Sequence, residues 1–205
     1  VPRGLESTDG SEGLQRSNCS NGWIDRCHIH HVGAAGLSAN SADTDRLYLT
    51  RNVIHDTAGT GEGMYLGANN GVWVMSRSVI ALNHVYDTSG SQGDGIELKQ
   101  GSVDNWIVAN LVHDTPYPCI LVYGTGGATP NRIEQNVCYG SGDNVMQVQG
   151  EALVRNNLLM SGNRGFSSHD HQGQSRDLVF VHNTIVNTGR GAHLQSWNGR
   201  PGMVF

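Results

Sequence analysis

Three shortages bound this chain before any motif is read. Charge is scarce: charged residues make up 15% of the 205 positions, and the net charge is −5. Nucleic-acid binding needs a broad basic surface, so nucleic acid is not an expected partner. Long apolar runs are missing, and nothing approaches the roughly 20 residues that carry a helix across a bilayer. No membrane partner is expected. Cysteine is limited to Cys19, Cys27, Cys119 and Cys138, with no Cys-x-x-Cys pair. That argues against a cysteine-based structural zinc site. Cys19 and Cys27 are close enough in sequence for a disulfide, which stays open; Cys119 and Cys138 read as small apolar residues.

A helical period is also lacking. Helical solenoids would show an apolar stripe every 3.6 residues, and leucine-rich repeats their own consensus. What is plentiful is glycine, at 28 residues. With 37% hydrophobic residues, this composition suits many short strands and many turns. The chain opens "VPRGLESTDG" without a methionine and ends "GRPGMVF" in a strand-like stretch. Both features lead us to expect a processed or truncated piece of a longer protein.

The sequence repeats itself. "NVIHDT" at Asn52, "NHVYDT" at Asn83 and "NLVHDT" at Asn110 anchor a series that runs Cys27, Asn52, Asn83, Asn110, Asn136, Asn157 and Asn183. The gaps are 25, 31, 27, 26, 21 and 26 residues. Two residues after each anchor stand Ile29, Ile54, Val85, Val112, Cys138, Leu159 and Ile185. Three residues before it stand Ile24, Leu49, Ile80, Ile107, Ile133, Val154 and Phe180. Apolar columns with polar flanks give a period of two, repeated seven times. The expected fold is all-β, a right-handed parallel β-helix (solenoid) of about seven coils: residues 1–21 as a lead-in or linker, residues 22–205 as the helix domain. The asparagine column is expected to ladder from coil to coil, satisfying turn backbone and tolerating a left-handed conformation.

A further strand per coil follows the variable stretch. We align it as Gly36–Asn40, Gly63–Gly67, Gly95–Lys99, Cys119–Tyr123, Asn144–Val148, Gly165–His169 and Gly191–Gln195. Its outward positions then read Ser38, Tyr65, Glu97, Leu121, Met146, Ser167 and His193, followed by Asn40, Gly67, Lys99, Tyr123, Val148, His169 and Gln195. Insertions of different length border this mixed strip, as they would border a groove fit for an extended polysaccharide.

Elimination from a uronate needs a base, an acid for the leaving oxygen, and positive charge facing the carboxylate. Lys99 or Tyr123 could be the base, and Tyr123 or His169 the acid. Tyr65, Glu97, Arg164, Arg190 and His193 are the candidate substrate-binding residues; the last three belong to the only local basic cluster. The competing reading of Glu97 and Lys99 is a surface ion pair of little energetic worth. No metal ligands are assigned: His169, Asp170 and His171 alternate along a strand and cannot easily converge. His30, His55, Tyr86, His113 and Tyr139 read as a structural stack. Asp56, Asp87 and Asp114 read as turn residues, with a calcium ladder as the alternative.

From Trp23 to Phe205 the repeat pattern resembles the pectate-lyase-like superfamily of right-handed parallel β-helix proteins. The resemblance implies a secreted, periplasmic or cell-surface protein directed at carbohydrate, with further domains or coils of the parent as possible partners. "GDGIELKQGS" at Gly93 resembles the acidic-then-lysine strand of the chondroitinase-B and alginate-lyase group, where a Glu helps hold calcium and a Lys is the base. That would make Glu97 and Lys99 the counterparts and calcium a possible cofactor. "RGFSSHDHQ" at Arg164 is similar to the Tyr-Gly-Phe-Asp-Pro-His segment of mannuronan C5-epimerases; His169 matches its His, with Arg164 at the Tyr and Ser167 at the Asp. "GWIDRCHI" at Gly22 resembles a pectate-lyase strand, with Arg26 in place of its His. The expectation is a polysaccharide-active protein of lyase or epimerase type working on an acidic glycan. The alternative is a non-catalytic glycan-binding or structural segment of a larger surface protein.

Overall fold

In a computed structural model, residues 2–205 are described. Nearly all regular structure is short strand, and every strand pairing is parallel. One sheet stacks Trp23–Asp25, Tyr48–Thr50, Val79–Ala81, Trp106–Val108, Asn131–Glu134, Ala152–Arg155 and Leu178–Val181 in sequence order. A second sheet of 14 strands bends around the rest of each coil. Its first arm contains His28–Val32, Val53–Thr57, His84–Tyr86 and Leu111–Thr115; its second arm contains Leu37–Ala39, Met64–Leu66, Ile96–Leu98 and Ile120–Val122. In the later coils Val137–Val148 and Leu158–Ser168 run unbroken through both arms.

Register follows the two apolar columns. Ile29, Ile54, Val85, Val112, Cys138, Leu159 and Ile185 are successive partners. So are Ile24, Leu49, Ile80, Ile107, Ile133, Val154 and Phe180. A lone coil cannot bury its apolar face; stacking turns these columns into one core. Cys27, Cys119 and Cys138 lie in that core, and all four cysteines are free, so no bridge joins Cys19 to Cys27. Residues expected as a lead-in also join the stack: Glu6–Thr8 pairs with His28–His30, and Leu14–Gln15 with Leu37–Ser38.

The asparagines form a continuous buried ladder. The backbone N–H of Cys27 donates to Asn52 Oδ1, and the series continues through Asn83, Asn110, Asn136 and Asn157 to Asn183 at 2.9–3.0 Å. From Asn52 to Asn157 each amide nitrogen also donates to the next asparagine and to a core-strand carbonyl, as Asn110 does to Asn136 and Ile80. The left-handed residue is not the asparagine but its predecessor: Arg26, Arg51, Leu82, Ala109, Gln135, Asn156 and His182 have φ between 53° and 59°. Asp56, Asp87 and Asp114 are left-handed too, at φ 47–53°, closing the other end of the arm. A shorter ladder at the opposite corner, through Ser78, Asn105 and Asn131, was not anticipated from the repeat.

The expected aromatic column is in register. His30, His55, Tyr86, His113 and Tyr139 stack with centroids 4.5–5.3 Å apart and planes within 16°.

One alignment is corrected. Met146, not Val145, pairs with Ile120 and Phe166, and Gln147 pairs with Leu121 and Ser167. Met146 and Val148 are therefore buried inward, and Gln147 takes the outward position. The register shifts between Ser141 and Asn144, and one residue of slip moves every later side chain to the opposite face.

Candidate active site

The second arm carries the site. Tyr65, Glu97 and Leu121 are in-register partners on adjacent strands, so their side chains leave the same face. Lys99 and Tyr123 follow two residues after Glu97 and Leu121, continuing on that face. The strand scaffold fixes these positions; what lies above them comes from the insertions. Gln172 reaches across to the loop around the short 3₁₀ turn Asn69–Gly71, accepting from the Asn70 N–H and donating to Asn69 Oδ1, each at 3.3 Å. His171 tilts over the Tyr123 ring at 5.0 Å between centroids and stacks on His169 at 5.7 Å. A cleft of about 440 Å³ remains, lined by Asp94, Glu97, Lys99, Tyr123, Arg164 and His169 among others.

The expectation of a solvent-facing Glu–Lys pair is overturned. Side-chain exposure is 3% for Lys99 and 2% for Glu97, and Lys99 Nζ donates to Glu97 Oε1 at 2.5 Å. The ammonium also lies 4.6 Å from the Tyr65 ring centroid and 5.2 Å from that of Tyr123. Cation–π attraction strengthens when the cation is desolvated, as here. The pair is ringed by unsatisfied acid: Glu97 Oε2, Asp94 Oδ1 and Glu62 Oε2 are buried without a protein partner.

This environment sorts the protonation states. Burial raises the Asp94 carboxyl well above the usual carboxylate range, and the Glu97 charge adds to it. Burial raises Glu97 as well, opposed by Lys99. Tyr65 is pushed up to about 12 by burial, then by Glu97 and Glu62. Tyr123 moves further in the same direction, through burial and then Glu97 and Asp94. Both phenols therefore keep their protons at neutral pH. His169 is lowered by burial, then by His193 and Arg164; His171 is lowered by burial, then by His169 and Lys99. Both imidazoles are held towards their neutral, proton-accepting form. The cleft thus sets neutral bases beside protonated acids, with a fixed cation beneath them.

Calcium does not fit this donor set. Lys99 Nζ already neutralises the Glu97 carboxylate that would have to coordinate the ion. Among the described residues, Glu62, Asp94 and Glu97 do not bring oxygens within 4.8 Å of one another as a group.

The family described as "Right handed beta helix region" matches residues 4–137, well over half of the chain. The chain belongs to this right-handed β-helix family. No curated protein sequence matches it. Among solved structures, the A-module of the Azotobacter vinelandii mannuronan C-5 epimerase AlgE4 superposes with a TM-score of 0.71 and 11% identity, covering 99% of this chain and 57% of its own. XylC in complex with xylose gives a TM-score of 0.54 and 16% identity, over 86% of this chain and 36% of that one. A mutant of the periplasmic alginate epimerase AlgG gives 0.53 and 14%, over 86% and 48%. At these identities the likeness shows the fold, and this β-helix spans 57% or less of each of these three chains.

Of the residues singled out from sequence, Glu97, Lys99, Tyr123, Arg164 and His169 line one cleft of the β-helix. Tyr65 lines the adjoining depression and closes the other side of Lys99. Arg190 and His193 do not line the cleft. Arg190 is exposed on the last coil opposite Arg164, and His193 pairs with Ser167. Asp94 and Gln147 were missed; His171 was weighed only with its histidine-rich stretch and lines the cleft beside His169. The Gly-Asp-Gly turn before Glu97 was the available signal for Asp94; Gln147 was hidden by the register slip.

Proposed function

We propose that this β-helix is a polysaccharide-active enzyme that removes the C5 proton of a uronate in an acidic glycan, as a lyase or an epimerase. The observation that carries the proposal is the cleft over Lys99, where depressed imidazoles, protonated phenols and a buried cation converge. The nature of two fold neighbours, epimerases named for mannuronan and alginate, supports the same substrate class. A periplasmic protein among them supports a site of action outside the cytoplasm.

Lys99 is held by Glu97, so we do not make it the base, and we assign the positive field to Arg164. The neutral His169 imidazole accepts the C5 proton. The electron pair left on C5 is drawn towards the uronate carboxylate, faced by Arg164. In a lyase the C4–O bond then breaks, a C4–C5 double bond forms, and Tyr123 protonates the departing oxygen. In an epimerase Tyr123 instead gives its proton to C5 from the face opposite His169, and no bond to C4 breaks. The Asn69–Gln172 bridge would hold the chain against the strand face.

A second reading, non-catalytic glycan binding, is favoured by the 2% and 4% exposure of Lys99 and Tyr123, which leaves little of either reachable. One experiment separates the two. A panel of polyuronates is incubated with the protein in deuterated buffer, with unsaturated product followed by absorbance and C5 deuteration by NMR. We expect one of these signals with at least one glycan and its loss in His169→Ala. Glycan binding with neither signal in the wild type would leave only the second reading.

A further inference from the structure

The outer face of the first arm carries a histidine cluster remote from the cleft residues. "HIHH" places His28 and His30 two residues apart, so both leave the same face of one strand. The N-terminal strand lies alongside, with Glu6 opposite His28 and Thr8 opposite His30. On the other side His55 is opposite His30. Glu6, His28 and His30 each bring one ligand atom within 4.8 Å of the other two.

The hydrogen bonds around the cluster orient these rings. His30 Nδ1 meets His31 Nδ1 at 2.7 Å, which leaves His30 Nε2 directed at Glu6 Oε1, 3.2 Å away. His55 Nδ1 meets Asp56 Oδ2 at 2.6 Å; donating there, it turns a lone pair on Nε2 towards His28 Nε2, 2.8 Å away. His28 is thereby left with Nδ1 as its free acceptor. Partners of this kind are what fix the tautomer and ring angle of metal-binding histidines. The 3.2 Å Nε2–Oε1 separation is close to the edge of a tetrahedron with ~2.0 Å bonds, about 3.3 Å.

We propose that Glu6, His28 and His30 form a zinc site, with a fourth position open to solvent beside the exposed Glu6 side chain. Two imidazoles and a carboxylate are a ligand set that suits zinc over calcium or magnesium. The ion would join the first strand of the stack to the coil above it. Zinc would therefore act as a staple between these two strands.

The test uses the full chain without a polyhistidine tag, freed of metal by a chelator and titrated with zinc chloride. Calorimetry reads stoichiometry, and thermal unfolding reads the linked gain in stability. One tight site per chain is expected, with a raised Tm. Affinity should fall at least ~10-fold in His28→Asn and in His30→Gln, and less in Glu6→Gln. His169→Ala and His171→Ala should bind as wild type does. No zinc binding overturns the proposal. So does binding that survives His28→Asn and His30→Gln, or that is lost in the two cleft variants instead.

Discussion

Replacing Lys99 with methionine tests whether the buried pair is what the geometry says it is. Methionine keeps the length and apolar stem but removes the charge. In the wild type, Nζ satisfies Glu97 Oε1 at 2.5 Å, with side-chain exposures of 3% and 2%. Removing one partner of such a pair strands the other, at a cost of about 3–5 kcal/mol. Lost contacts with the Tyr65 and Tyr123 rings, 4.6 and 5.2 Å away, add about 1 kcal/mol. Glu97 is already raised by burial and would lose the lysine that opposes this, so its carboxyl would protonate in the folded state. A folded pKa above the unfolded one gives stability that is full below the ordinary carboxylate range and is lost as pH rises through the folded value. The deficit of Lys99→Met should therefore be larger at pH 8 than at pH 5. Glu97→Leu/Lys99→Met should recover most of it, because an apolar pair of similar volume strands no charge. Equilibrium urea denaturation of wild type, both single variants and the double variant closes the cycle. A Lys99→Met cost under about 1 kcal/mol, independent of pH, would mean an ordinary exposed ion pair and refute the reasoning.

Asn110→Ala removes four ladder hydrogen bonds, two from Asn83 and two to Ile80 and Asn136. At about 1–3 kcal/mol per stranded buried group, denaturation should show a loss of about 3 kcal/mol or more, against about 0.5 for exposed Asn163→Ala. Asp94 has a raised folded pKa, so its contribution is full below the usual carboxylate range and is lost as pH rises. Between pH 4 and 8 the Tm of wild type should fall relative to that of Asp94→Asn. If the cleft is catalytic, kcat/KM should hold to lower pH than an ordinary histidine base allows, because His169 is lowered. Tyr123→Phe should cut kcat by about 10²–10⁴ in the same assay without weakening glycan binding.

The solenoid was legible because every coil repeats the same local decision. An apolar residue two after each anchor must face inward, and Ile54, Val85 and Val112 do so with no exposure. The asparagines were legible for the same reason, although the strained residue proved to be the one before. Where the pattern failed, a coil had broken its own rule. Val137–Val148 crosses the corner as one strand, and the shift between Ser141 and Asn144 displaced the alignment by a residue. Alternation also says which way Glu97 and Lys99 point, not what covers them. The cleft they line is bridged by Asn69 and Gln172, 103 residues apart and linked by no periodicity.

Leu121 shows what the fold alone requires at this place. It occupies the Glu97 position one coil later, on the same face, and is 6% exposed. An apolar side chain is thus accepted in this column. Glu97, Lys99 and Asp94 instead bring a desolvated ion pair and unpartnered carboxyl oxygens, each of which works against stability. The solenoid gains its cohesion from the apolar columns and the asparagine ladder, and neither passes through this cleft. Charges held against the interest of the fold, between two aromatic rings and beside depressed imidazoles, are what the proposed function would require of this cleft, since perturbed groups of this kind gather where chemistry is done.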